Sequence, residues 1–152
     1  MYIIVGLGNP GEEYANTRHN AGMIALDAFA KTIDSSEWKM EKSAASLTSK
    51  GTMDGNKVLL IKPETFMNLS GKAVKYFVDS VKKAEKLIVL QDDLDLPLGT
   101  VRIVYDRGSG GHKGIESIVR AIKTQKFTRI RIGVAPKTPS GIMIVHTSAT
   151  IH

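Results

Sequence analysis

The chain has 152 residues, 21 Lys and Arg against 15 Asp and Glu, a net charge of +6 and no cysteine. That length suits one domain with a single core, and the missing cysteine excludes a disulfide scaffold, thiol catalysis and a cysteine zinc site. No apolar run nears the roughly 20 residues of a membrane span, while the positive balance favours a polyanionic partner, nucleic acid first, with plain solubility as the other reading.

In chain order, Tyr2 to Val5 is a short β-branched run stopped by Gly6 and Gly8, read as a buried strand. It lacks a basic leader and is too short for a signal peptide, so a cytoplasmic location is expected. Asn20 is placed to cap a helix carrying Met23, Leu26, Phe29, Ala30 and Ile33 on one face. Lys39 to Met53 is expected to hold one strand. Gly55-Asn56 then turns into a second strand, Val58 to Ile61, ended by Pro63. Ser70 opens the most regular amphipathic stretch, with Ala73, Val74, Phe77, Val78 and Val81 at helical spacing. Leu87 to Leu90 reads as a central strand running into an acidic turn, Asp92 to Asp95. Val101 to Tyr105 is a strand with Arg102 outward. Gly108 to Gly114 introduces a third amphipathic helix through Ile115, Ile118, Val119 and Ile122, and Arg129 to Val134 alternates as a half-exposed strand. Strands alternating with helices indicate an α/β sheet layered with helices.

Four segments carry candidate chemistry. Gly6 to Gly11 matches GxGxxG after a strand, yet Glu12 and Glu13 would oppose a phosphate and helical periodicity starts only near Asn20. A polar loop at the strand end is the better reading, gathering Asn9, Tyr14, Arg18, His19 and Asn20, with His19 either a helix cap or a base. Thr65 to Gly71 sets large apolar residues beside Asn68, as a pocket wall with one hydrogen-bonding group or as packing at a helix entry. Asp92, Asp93 and Asp95 follow a strand and suit Mg²⁺, a solvated turn or, preferably, a carboxylate orienting a histidine base. Gly108 to Gly114 offers glycine amides, a helix N-terminus and Lys113 as an anion site without the spacing of a Walker loop. Arg102, Arg107, Arg129 and Arg131 flank it as candidate phosphate contacts.

Taken in order, GLGNPG, TRHNAG, TFMNLSG, DDLDLPLG, GSGGHKG and RIRIGV resemble the motifs of bacterial-type peptidyl-tRNA hydrolases over residues 1 to about 134. The resemblance implies a single domain over 1–152, with a twisted mixed β-sheet sandwiched between helices. It implies hydrolysis of the ester between a peptide and tRNA by a monomer, without metal, cofactor or membrane. His19 matches the family's base and Asp92 its carboxylate partner. Asn9 and Asn68 match amides that grip the substrate, Asn68 towards the oxyanion, and Tyr14, Met67 and His112 match residues lining the cleft. Two departures stand out. Lys113 replaces the usual Asn of GGHNG, exchanging an acceptor for a charge suited to phosphate. The tail 135–152 matches neither the family's lid-like segment nor its C-terminal helix, so an apolar face is expected to lie uncovered. These departures keep a second reading open, an RNA-binding protein on the same scaffold with weakened catalysis. A dinucleotide-dependent oxidoreductase is the third reading.

Overall fold

A computed structural model describes residues 1–136 of the chain. Strand β1 (Tyr2–Gly6) shows why the sheet is covered on both sides. Side chains alternate along a strand, so Ile3 and Val5 point one way and Ile4 the other, and all three are buried. Beneath Ile4, helix α1 (Ala21–Thr32) packs Leu26 and Ala30 against Val58, Leu60 and Leu90. On the opposite face, helices α2 (Ser70–Phe77) and α4 (Lys113–Ile122) pack Val74, Ile115 and Ile118 against Ile3, Val5, Ile61 and Val89. Each fully buried side chain of this size contributes on the order of 1.5–3 kcal/mol.

The remaining elements are β2 (Lys39–Glu41), β3 (Ser46–Met53), β4 (Asn56–Pro63), α3 (Val81–Ala84), β5 (Leu87–Pro97), β6 (Val101–Tyr105) and β7 (Thr128–Ala135). They form one seven-stranded sheet in the order β2-β3-β4-β1-β5-β7-β6. Its middle, β4-β1-β5-β7, is parallel, and both margins are antiparallel. The mixed sheet between helices agrees with the expected fold class.

Several local expectations change. Lys39 to Met53 holds two strands, because Ala45 adopts a left-handed conformation (φ 46°) that folds the chain back. The regular stretch after Ser70 breaks at Val78, whose backbone leaves the helical region (φ −116°, ψ 84°), and Val81 begins a separate short helix capped by Ser80 through the Lys83 amide. Neither Asn20 nor Ser70 caps a helix with its side chain; Ser70 donates instead to the Met67 carbonyl at 2.7 Å. Among the described residues strand β6 is the edge of the sheet, with Val101, Ile103 and Tyr105 exposed on the same sheet face as their partners Ile132, Ile130 and Thr128. The uncovered face and missing helix expected for the tail concern residues 137–152, which lie outside the described residues. Among the described residues, no helix is long and apolar enough to cross a membrane.

Candidate active site

Register places the carboxylate. Gly6, the last paired residue of β1, stands opposite Leu90 of β5, while β5 continues to Pro97. Asp92 therefore projects two residues beyond the end of β1, at the carboxyl edge where open α/β sheets bind ligands. The expected acidic turn is a strand, because β7 continues to pair with Asp92 and Asp93 before a bulge carries the register to Pro97. Its acids differ in their surroundings. Asp92 is buried between two histidines, and Asp93 forms an ion pair with Arg131 and accepts the Asp95 amide at 2.8 Å. Asp95 is exposed.

The loop after β1 delivers His19. A Cβ on Gly22 would sit 2.2 Å from the Leu90 carbonyl oxygen, so only glycine lets the start of α1 approach β5 this closely. The helix begins at Ala21, well after the glycines, so its amides cannot cradle a pyrophosphate as a dinucleotide site requires. The loop is clamped by a reciprocal pair: the Asn9 amide donates to Asn20 Oδ1 at 2.8 Å, and Asn20 Nδ2 donates to the Asn9 carbonyl at 2.9 Å. Asn9 Oδ1 in turn accepts the Met67 amide at 2.7 Å, tying the loop after β4 to the loop after β1. That bond fixes the side-chain orientation and leaves Asn9 Nδ2 as its spare donor.

His19 Nδ1 lies 2.7 Å from Asp92 Oδ2, and His112 Nε2 lies 2.7 Å from Asp92 Oδ1. The two rings are tilted by 37° with centroids 5.9 Å apart. His112 is also the N-cap of α4, its Nδ1 accepting the amides of Gly114 at 3.1 Å and Ile115 at 3.2 Å. Helix α4 is seated by α2, where Gly71 packs directly on the Ser117 backbone and donates its amide to Ser117 Oγ at 2.8 Å.

Burial alone would push the Asp92 carboxyl up, but hydrogen bonds from His112 and His19 outweigh it and hold the group below the usual carboxylate range. The hydrogen bond to Asp92 raises His19 above an ordinary histidine, against the lowering effect of its burial. An ionised Asp92 only accepts, so His19 carries its proton on Nδ1 and presents Nε2 as a lone pair, with no partner among the described residues. The ligand-type atoms of His19, Asp92 and His112 lie within 4.8 Å of one another. They are nevertheless spent on each other, since the amides at His112 Nδ1 put its proton on Nε2, where a metal would need a lone pair.

An open cleft of about 460 Å³ is lined by His19, Asp92, His112 and Lys113 together with Arg107 and Arg131. Lys113 is exposed and reaches Glu116 only at 3.8 Å. Asn68 is exposed in the tight turn after β4 and Met67 is buried against Gly114; neither they nor Asn9 and Tyr14 are among the residues lining the cleft. Tyr14 is half-buried, and its carbonyl accepts Thr17 Oγ1 at 2.7 Å. Arg102 is exposed on β6 outside the cleft lining. Arg129 departs from expectation. It is buried, donating to the carbonyls of Arg107 at 3.0 Å and Gly108 at 2.8 Å, so it braces the glycine loop and is withdrawn as a phosphate contact. The anion site expected at the start of α4 also changes, because His112 takes the Gly114 and Ile115 amides and Ser109 Oγ takes that of Gly111. Any anion there would meet the side chains of Lys113 and Arg107. Sequence reasoning missed the Asn20 clamp and the double engagement of His112; the adjacency of Asn20 to His19 was the one available signal for the former.

Against known proteins, the family profile described as peptidyl-tRNA hydrolase matches residues 3–146. A peptidyl-tRNA hydrolase from Alkaliphilus oremlandii is 50% identical over 135 residues, covering 88% of this chain and 72% of the relative. One from Halalkalibacterium halodurans is 43% identical over 147 residues, covering 96% of this chain and 78% of the relative. The crystal structure of peptidyl-tRNA hydrolase from Acinetobacter baumannii superposes with a TM-score of 0.87 at 34% identity, over 100% of this chain and 77% of that one.

Proposed function

This chain belongs to the peptidyl-tRNA hydrolase family, and we propose that it cleaves its substrate with His19 as the base of a water-mediated ester hydrolysis. It hydrolyses the ester joining a peptide to tRNA, releasing the peptide as an acid and the tRNA with a free ribose hydroxyl. The observation that carries the assignment of the base is the 2.7 Å contact between His19 Nδ1 and buried Asp92, which leaves Nε2 open to the cleft.

In this reading Nε2 takes a proton from water as the water oxygen attacks the ester carbonyl carbon. The tetrahedral intermediate carries a negative oxygen, for which exposed Asn68 is the assigned donor. As the intermediate collapses, the C–O bond to the ribose breaks, and protonated His19 returns its proton to the leaving oxygen. Asp92 balances the imidazolium that exists between these two steps. Asn9 Nδ2 is assigned to the peptide, and Tyr14, from the same loop after β1, to substrate binding. Arg107, Lys113 and Arg131 are assigned to tRNA phosphates, with Arg102 further out on β6. The chain is read as one domain working as a cytoplasmic monomer, in keeping with its single sheet and basic charge.

The test is release of peptide from peptidyl-tRNA by the purified chain beside His19→Ala. Wild type should turn over and the variant should retain tRNA binding without cleavage. Equal rates in both would sink the assignment of the base. Salt-sensitive RNA binding without release by wild type would instead favour the binding-only reading.

A further inference from the structure

His112 stands among the cleft residues in the resemblance, yet neither ring nitrogen is left to touch a substrate. Nδ1 is occupied by the Gly114 and Ile115 amides at 3.1 and 3.2 Å, and Nε2 by Asp92 Oδ1 at 2.7 Å. Two backbone donors at Nδ1 permit only a lone pair there, so a neutral ring must carry its proton on Nε2 and donate it to Asp92. Asp92 is 2% exposed, so neither of its oxygens is satisfied by bulk water. Without His112 the carboxylate would hold one bond and be free to turn about its Cβ–Cγ bond.

We propose that His112 is a positioning residue, locked by the first amides of α4 as the Nε2–H tautomer, which clamps Asp92 and thereby keeps His19 Nε2 unprotonated towards the substrate. The proposal rests on the reading of His19 as the base. It gives helix α4 a part in the chemistry: the helix sets one proton position on His112, His112 orients the carboxylate, and the carboxylate sets the proton position on His19. The chain of constraint runs over 2.7–3.2 Å contacts between side chains and backbone. The other charged residues lining the cleft are Asp93 and Asp95 from β5, Arg107 from the glycine loop, Lys113 from α4, and Arg131 and Arg129 from β7, the last with its guanidinium turned inward onto two loop carbonyls. None of them hydrogen-bonds Asp92 among the described residues, so no other charged side chain substitutes for His112.

Two substitutions separate the clamp from the cap. In His112→Asn, Oδ1 replaces Nδ1 as helix cap, but the side chain is too short to reach Asp92. In His112→Gln, Nε2 reproduces the reach to Asp92 and the cap is given up. His112→Asn should fold with a near-native Tm and lose on the order of 10–100-fold in kcat at unchanged KM, the scale of removing an orienting partner. His112→Gln should recover most of kcat while melting a few degrees lower. Wild-type kcat in His112→Asn would overturn the proposal and leave a helix cap only. Equal losses of kcat in both variants would also overturn it, since the ring would then act other than through Asp92. A measurement independent of turnover is ¹⁵N NMR of the imidazoles. It should show His112 as Nε2–H and His19 as Nδ1–H in wild type, with His19 shifting towards Nε2–H in His112→Asn. Finding His112 as Nδ1–H would refute the clamp. Loss of cleavage by wild type itself, with these tautomers intact, would count against the proposed function instead.

Discussion

Two glycine-rich loops, Gly6 to Gly22 after β1 and Gly108 to Gly114 after β6, each bring one histidine to the same carboxylate. The rings end in opposite conditions. His19 bonds Asp92 through Nδ1 and leaves Nε2 open, whereas His112 bonds Asp92 through Nε2 and has Nδ1 filled by α4 amides. The two loops also hold their histidines differently. The first is clamped by side chains, Asn9 with Asn20, and continues into a close helix–sheet contact at Gly22. The second is braced from behind by buried Arg129 on two carbonyls. What distinguishes the two rings is the partner of the second nitrogen, not the residue type or its distance from the acid, and on that difference rests the proposal of one as base and the other as orienting group.

Experiments that break this asymmetry should fall in a clear order. Removing the open nitrogen with His19→Ala should lower kcat by on the order of 10²–10⁴ while tRNA affinity stays close to wild type. Asp92→Asn should come close to that loss by a different route. The tautomer fixed on His112 would draw the Asn oxygen to it and turn the Asn amide towards His19, which must then accept at Nδ1 and carry its proton on Nε2. The carboxamide would thus invert the base, which single-turnover kinetics at saturating substrate would register. Gly22→Ala tests the seating of the first loop. A methyl there collides with the Leu90 carbonyl, so unfolding should become easier by about 1–3 kcal/mol. Catalysis should fall with it as His19 is displaced, measured on the folded fraction. Lys113→Asn should be the mildest. It removes an exposed cation whose ion pair is long, so kcat should hold within a few-fold while the salt dependence of tRNA binding softens by up to about one unit of slope.

The same comparison fixes the sign of the pH response. His19 is raised above its ordinary value of 6.5, so the acid limb of activity should lie on the alkaline side of a free histidine. For stability, a raised His19 contributes fully below 6.5, and that contribution is lost as pH rises through its folded value. Asp92 is lowered from 3.8, so its contribution is present above 3.8 and lost as pH falls through its folded value. The pair therefore stabilises the fold most between about 4 and 6. His19→Ala should flatten the stability profile in that window, as denaturant titrations at several pH values would register.

Much of this molecule is legible in one dimension. The strand β1, the central β5, the amphipathic α2 and α4, and the separation of helix from strand follow from hydrophobic periods that any buried face imposes. The motif order alone points to the family and to His19, Asp92, Asn9 and Asn68. The acidic segment illustrates the limit. Asp92 to Asp95 reads as a turn from local polarity, yet it is strand because β7 supplies backbone partners and Arg131 neutralises Asp93. Arg129 reads as one arginine in an exposed alternation, yet its guanidinium turns inward because two carbonyls of the glycine loop await it. Residue types and spacings are local properties, and the sequence by itself determined them, including which side chains are chemically suited to the proposed reaction. Which nitrogen of each histidine is free depends on partners 73 and 20 positions away from the two rings, and on amides at the start of a helix. Only the tertiary structure could decide that, because a hydrogen bond is fixed by distance and direction in space.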